Sequence, residues 1–525
     1  MSPDLSSDAT FSGLRLVLLL APALILLFAA LSIAPSCRDR AWRAAAWACG
    51  LVFVAVVASG VLLLATGPVV ALGLRADAVG AVVALLVAFV GAVIVRFSRP
   101  YLGTERDAPG YVRSLLLTLA AVQIVVVTDH LLMLTLAWAG TSFALHRLLT
   151  FFSDRPAALL AAHKKFIVAR GADACMLIAC VLLYLAFGTL SITQLSTASM
   201  AASVLPLSAH IAVLLIVLAV LLKTAQLPLH GWLIQVMEAP TPVSALLHAG
   251  VVNLGGFVLI RLYGLVGAVP AAMTLLVLVG TFTAVVAALV MTTRISIKVS
   301  LAWSTAAQMG FMLLQCGLGL WSMALLHLVA HSLYKAHAFL STGRAVQHVL
   351  VRRLAPVPAV PSLAALLGAG VVALIALAMT AWALGSQPLA QPALWVMAGV
   401  FALAMVPMIR RGGSPWAGWL LPVLAAVVLA VVWSALHAAT HGWVAPGALQ
   451  PALRLWPVVA VAFVGLFVVQ AVLLARPQGA LSQALYPWCY GGLFLDEAFN
   501  RFAFRLLPAP ERRQTAAAAS GLVQS

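Results

Sequence analysis

Apolar runs of about twenty residues recur along the chain, each long enough to cross the hydrocarbon core of a bilayer as a helix. Residues of the set AVILMFWYC make up 64% of the 525 and charged residues only 8%, against about 45–50% and about 25% in soluble chains. Mean hydropathy is +1.12. Such a chain cannot cover a water-facing surface, so three or four soluble domains are excluded and an all-α polytopic membrane protein is expected.

Fifteen spans are read at 14–35, 44–66, 77–95, 111–128, 131–150, 162–187, 209–226, 239–262, 271–292, 295–316, 321–343, 363–385, 392–409, 415–437 and 455–476. With the N-terminus outside, alternate connections fall inside and hold 23 of the 30 basic residues. They include Arg38, Arg40 and Arg43, then Arg147, Arg155, Lys164 and Lys165, and later Arg294 and Lys298. The outside connections hold Arg15, Arg75, Arg261 and Arg454. Cytoplasmic loops carry the basic excess, which predicts a plasma (inner) membrane protein with its N-terminus outside and its C-terminus cytoplasmic. The N-terminal stretch carries Asp4 and Asp8 in place of a basic n-region, so no cleavable signal peptide is expected. The net charge of +17 does not indicate nucleic acid, because the basic residues lie between apolar runs and not on one face. The six cysteines form no CxxC pair and no Cys/His zinc spacing, and cysteines in apolar runs are expected as packing residues. From Tyr486 to Arg505, aromatics mix with Asp496, Glu497 and Arg501, which predicts a helix along the membrane surface or one docked on a partner. The residues QTAAAASGLVQS that follow read as a frayed tail.

Ionisable side chains in hydrocarbon cost at least ~2.5–3.5 kcal/mol, so each one inside a span is a functional hypothesis. Arg170 and Asp173 lie at i,i+3 on one helix face, as a structural pair or a transport element. Lys223 is followed by Pro228 and His230; proline removes a backbone donor and breaks the helix there, and broken helices beside a buried charge are how transporters build midplane ion sites. Glu238 and, two turns into the next span, His248 come after it. The run HLVAHSLYKAHAF places His327, His331 and Lys335 at i, i+4 and i+8, within about 80° of arc on one face. Three titratable groups in a row are hard to explain by packing. Imidazoles titrate near 6.5 and a buried lysine's pKa falls by several units, so protons are the expected cargo. The chain has no phosphate-binding glycine loop and no haem, flavin or iron–sulfur pattern; its energy source is then an ion gradient or another subunit.

Lys223 to Asn253, KTAQLPLHGWLIQVMEAPTPVSALLHAGVVN, together with SIKVSLAWSTAAQMGFM and HLVAHSLYKAHAFLSTG, resembles the two signatures of the antiporter-like subunits of respiratory complex I and of Mrp-type cation/proton antiporters. The resemblance covers residues 77 to 411. It implies two inverted five-helix repeats, each with a broken helix, and a hydrophilic axis that carries protons. By position it implies a relay through Lys223, His248, His327, His331 and Lys335, a helix break at Pro228, and Asp173, Glu238 or Arg170 as charge partners. It divides the chain into N-terminal helices (1–76), first repeat region (77–262), second repeat region (263–411), C-terminal helices (412–476), and an amphipathic cytoplasmic segment and tail (477–525).

Two departures stand out. Complex I subunits hold a glutamate in a Trp-Glu-Gly context, where this chain reads Trp138-Ala139-Gly140; and the distal span 363–385, where the family supplies a last lysine or glutamate, carries no charge. With its short C-terminal part, the chain resembles the membrane subunit of two-component inorganic carbon transporters (DAB type). That resemblance implies a large zinc-containing partner resembling a β-carbonic anhydrase, and proton or sodium flow that energises hydration of CO2 to bicarbonate there. This chain would then be a coupling subunit, not an enzyme, with no cofactor of its own. A complex I-like or membrane-hydrogenase subunit and an Mrp-type Na+/H+ antiporter subunit are the alternatives.

Overall fold

The computed structural model describes residues 5–34, 37–105, 107–152, 155–344, 361–383, 392–409, 417–440, 455–497 and 499–501. Helices α1 (Leu5–Ser32) and α2 (Arg38–Thr66) lead to a two-stranded hairpin, β1 (Val69–Ala71) and β2 (Leu74–Ala76), paired antiparallel with Val69 opposite Ala76. Next come α3 (Ala78–Leu102), α4 (Ala108–Val127), α5 (Leu131–Leu149), α6 (Pro156–Phe187) and the short α7 (Ile192–Ala201). The central stretch holds α8 (Leu207–Lys223), α9 (Gly231–Gln235), α10 (Thr241–Ala249), α11 (Leu254–Arg261) and α12 (Tyr263–Gly267). Then follow α13 (Pro270–Met291), α14 (Ile297–Gly317), α15 (Trp321–Leu340), α16 (Leu363–Ala383), α17 (Pro392–Ile409), α18 (Ala417–Thr440), α19 (Trp456–Ala475) and α20 (Ala480–Tyr490).

Each expected span meets a helix, or a broken pair of helices, at its place in the chain. Ten stretches among the described residues are long and apolar enough to cross a membrane by themselves, and α8 is a shorter apolar helix. Helices α14 and α15 are outside that set of ten; they carry Lys298, Gln308 and Gln315, and His327, His331 and Lys335. Large side chains such as Phe28, Leu64 and Trp382 are exposed, as expected where the outer solvent is hydrocarbon. Among the helices, packing relies on small residues. At the crossing of α13 and α14 a Cβ on Gly280 would meet the Gly310 carbonyl at 2.6 Å, and one on Gly310 the Gly280 carbonyl at 2.7 Å, so the two backbones touch only because both positions are glycine.

The expected break at Pro228 is present: α8 ends at Lys223 and helix resumes at Gly231. The freed backbone groups find partners, as burial in a membrane protein requires. Leu227 N–H donates to Thr283 Oγ1 (3.2 Å) and the Gln226 amide donates to the Thr224 carbonyl (3.0 Å). A second break separates α10 from α11 at Gly250, where Asn253 Nδ2 donates to the Ala249 carbonyl at 3.1 Å. The distal helix α16, where the resemblance implies another break, runs continuously from Leu363 to Ala383.

The two ends of this central unit are marked by charge pairs. At one end Arg155 meets Glu238 at 3.9 Å, both about half exposed. At the other, Arg261 at the end of α11 and Arg75 of the hairpin hold Asp77, the N-cap of α3, at 2.5 and 2.7 Å, and Gly80 N–H donates to it at 2.7 Å. Burial pushes the Asp77 carboxyl up, but the two guanidiniums and the amide outweigh it and hold the group below its ordinary value.

The surface helix expected over 486–505 is displaced. The helix is α20, and Gly491 with left-handed Gly492, Leu493 and Phe494 turns the chain before a short helical segment at 499–501. A glycine pair ends the helix as C-terminal glycines do, which separates the aromatics of α20 from Asp496 and Glu497. Arg505 and the tail lie outside the described residues.

Candidate functional site

The break after α8 leaves Lys223 at a helix end inside the protein, 7% exposed, with its ammonium 2.7 Å from Asp173 Oδ1. Asp173 comes from α6, and Arg170, one turn earlier, reaches its other oxygen at 2.6 Å. The i,i+3 pair and Lys223 are thus a single triad of two cations on one carboxylate. Lys223 also lies 4.1 Å from the ring centroid of Trp138 and donates to the Trp138 carbonyl at 3.4 Å. The residue after Trp138, where relatives of the resembling family hold a carboxylate, is Ala139, so a ring face and a carbonyl stand on this side of the lysine. A cation over an indole face gains about 0.5–2 kcal/mol, much less than a buried carboxylate supplies. Asp173 is therefore the anionic partner. Glu238, the other candidate, is paired with Arg155 at the surface: the 3₁₀ turn Val236–Glu238 lies past the break and points its carboxylate away from the interior.

The second cluster centres on α15. The expected face is there: the rings of His327 and His331 are 6.0 Å apart, centroid to centroid, and Lys335 follows one turn on, fully buried. Lys335 donates to the Leu301 carbonyl of α14 at 3.0 Å. His248, at the end of α10 and fully buried, stacks on Phe339 at 4.4 Å and lies within electrostatic reach of Lys335 and His331. Neither ring nitrogen of His248 or His331 has a hydrogen-bond partner among the described residues. His327 is held by Gln315, whose Oε1 lies 2.8 Å from its Nδ1. Asn253 donates to Ser332 at 2.7 Å and ties the break in the α10–α11 span to α15. No hydrogen bond or ion pair joins the two clusters directly among the described residues.

Past His327 the character changes. Phe311 lies 5.6 Å from the His327 ring and packs against Phe401 and Phe463 at 5.3 and 5.6 Å. The three rings wall a 1020 Å³ cavity between α13, α14, α17 and α19, whose polar lining includes Ser304, Gln308 and Gln470. The helix α16, where the resemblance implies a last relay group, carries no charge.

Sequence reasoning missed several members. Lys164 and Lys165 counted as loop charges, yet both are buried in α6. The signal was available, since both fall inside the expected span 162–187. Gln315 carries no charge and lies outside the quoted motifs, while Asn253 and Ser332 lie within them but are uncharged, so nothing in one sequence marks their contacts.

A family profile described as "NADH:quinone oxidoreductase/Mrp antiporter, TM" matches residues 128–410. The chain is 38% identical over 522 residues to a protein of Halothiobacillus neapolitanus named "Probable inorganic carbon transporter subunit DabB2", covering 94% of both chains. It is 46% identical over 353 residues to "Probable inorganic carbon transporter subunit DabB" of Hydrogenovibrio crunogenus, covering 66% of this chain and 67% of that one. NADH-quinone oxidoreductase subunit L of Mycobacterium tuberculosis is 36% identical over 281 residues, 53% of this chain and 44% of that one. Among solved structures, a chain of the Mrp complex from Dietzia superposes with a TM-score of 0.56 at 24% identity. That match covers 97% of this chain, which spans 58% of the solved one. The likeness concerns the fold.

Proposed function

Because the chain belongs to the NADH:quinone oxidoreductase/Mrp antiporter transmembrane family, together with DabB subunits, we propose that it is the proton-conducting membrane subunit of a two-component inorganic carbon uptake system. Cations, protons in this reading, pass down their gradient through the Lys223 and Lys335 clusters. That flow energises hydration of CO2 to bicarbonate in a large zinc-containing partner resembling a β-carbonic anhydrase. Zinc chemistry belongs to that partner; this chain's residues hold and move protons.

The observation that carries the reading is the Lys223–Asp173–Arg170 triad at the broken helix. Two cations on one buried carboxylate form an arrangement in which a neighbouring charge decides whether Lys223 keeps its proton. The likeness to the DabB2 subunit along 94% of the chain supports the carbon-uptake branch over the respiratory one, whose subunit L is matched over 53% of it. The basic excess in alternate loops supports a plasma-membrane protein with its C-terminus and the Arg155–Glu238 end on the cytoplasmic side.

Affinity purification from mild detergent, with mass spectrometry and zinc analysis of what co-elutes, tests this. One large soluble chain with stoichiometric zinc is expected. Iron–sulfur or flavin subunits, or a set of small antiporter subunits, would replace the reading with a respiratory or Mrp-type one.

A further inference from the structure

The C-terminal segment does not lie free on the surface. After α20 it turns at Gly492 and delivers Asp496 and Asn500 to the cytoplasmic end of the first cluster, 332 and 336 residues from their partner in α6. Lys164 donates to both Asp496 oxygens at 2.8 and 2.7 Å and to Asn500 Oδ1 at 2.7 Å, and Gln235 of α9 donates to Asp496 at 3.1 Å. Phe499 covers the ammonium at 5.0 Å. Gly231, the first residue after the broken stretch, makes room for this: a Cβ there would collide with the Asp496 carboxylate. Arg294 fixes the turn by donating to the Cys489 carbonyl at 2.9 Å. Charged and titratable neighbours of Asp496 are therefore Lys164, the His230 ring within electrostatic reach, Arg294 beside Gly492, and Glu497 and Arg501 on its own segment.

The pair is graded in exposure. The Asp496 side chain is 24% exposed and that of Lys164 is 0%. The next residue, Lys165, is buried with its ammonium on the Ser142 carbonyl at 3.0 Å, within electrostatic reach of Lys223, Arg170 and Asp173. A water-accessible carboxylate thus holds one buried lysine of α6, and the next residue of α6 is a second buried lysine beside the triad.

We propose that Asp496, held over Lys164 by the folded-back C-terminal segment, is the carboxylate through which protons leave the Lys223–Asp173 cluster for the cytoplasmic side. The inference rests on the proton-conducting reading. A carboxylate oxygen takes a proton from the Lys164 ammonium and gives it to water, and the Lys164 amine takes the next proton from the interior. The carboxylate and the ammonium are regenerated and one proton has moved to the cytoplasmic side.

The alternative is that Asp496 only neutralises Lys164, and paired substitutions separate the two. Breaking a buried pair from one side leaves an uncompensated charge, whereas neutralising both partners removes the penalty. Ionophore-sensitive inorganic carbon accumulation, normalised to the amount of assembled complex, would be measured in cells carrying Asp496→Asn, Lys164→Gln, the double Lys164→Gln/Asp496→Asn, and Lys223→Ala. Expected are loss in Lys223→Ala, a fall of about tenfold or more in Asp496→Asn, and an equally low rate in the double variant although it assembles normally. A double variant, or Asp496→Asn alone, at the wild-type rate would overturn the proton-releasing role and leave the proposed function standing. Wild-type accumulation in Lys223→Ala would instead overturn the proposed function itself. If Asp496→Asn does not assemble, the double variant decides, and Asp496→Glu, which keeps an ionisable carboxyl, is expected to transport.

Discussion

The two lysine sites of this chain are built on opposite principles. Lys223 sits at a helix break, shares a carboxylate with Arg170 and faces an indole ring. Lys335 sits inside a continuous helix, donates to one carbonyl and has two histidines above it on the same face. The first site is an ion-pair cluster in which charge is compensated locally. The second is a ladder of titratable groups on one helix face, with no carboxylate in contact with its lysine among the described residues. A buried cation with a paired carboxylate tolerates charge better than one facing a carbonyl dipole. Under the proposed function, Lys223 would store a proton and Lys335, His331 and His327 would pass one along.

The largest expected effects test whether both sites are needed at all. Lys223→Ala and Lys335→Ala are each expected to abolish ionophore-sensitive carbon accumulation while leaving assembly intact; normal transport in both would end the comparison. Next in size, Asp173→Asn leaves Arg170 and Lys223 facing each other without an anion, a loss of about 3–5 kcal/mol when a buried pair is broken. A lower melting temperature in detergent and reduced transport should appear together. Adding Ala139→Glu to Asp173→Asn is expected to restore part of both, whereas Ala139→Glu alone should change little because Asp173 already serves Lys223. No rescue would mean that position 139 does not face the lysine.

On the ladder, replacing His327 and His331 together should slow transport severely. Gln315→Ala, which only frees His327 Nδ1, should slow it a few-fold by a hydrogen bond worth about 1 kcal/mol. Full activity of the double histidine variant would make the ladder structural.

The smallest effects lie at the two ends. Glu238→Gln should alter stability by about 0–1 kcal/mol, as exposed pairs do. Asp77 differs because it is buried and its carboxyl is held below the ordinary value. A depressed carboxylate contributes stability above its unfolded value near 3.9, and that contribution is lost as pH falls through the lower folded value. Melting temperature should therefore be flat near neutrality and fall in acid, and Asp77→Asn should lower it at pH 7 and flatten the acid limb.

Much of this architecture was legible in the residues. Long apolar runs can only be membrane helices, so the span positions follow from length alone, and Pro228 announces its break because proline cannot donate to the helix ladder. Helical spacing likewise puts His327, His331 and Lys335 on one face before any packing is known. Spacing within one helix says nothing, however, about what another helix brings. The break at Gly250 depends on Asn253 replacing the lost bonds, and the partner of Lys223 was open between Asp173 and Glu238 until α6 was packed beside α8.

What the sequence determined by itself is therefore the membrane class, the helix positions, the break at Pro228 and the titratable face of α15, because each follows from local hydrophobicity and backbone geometry. Only the tertiary structure decided that Asp173 pairs with Lys223, that Gln315 holds His327, and that the C-terminal segment returns to place Asp496 on Lys164. Those contacts join residues tens to hundreds of positions apart, and buried charge must find its partner wherever packing brings one within hydrogen-bond distance.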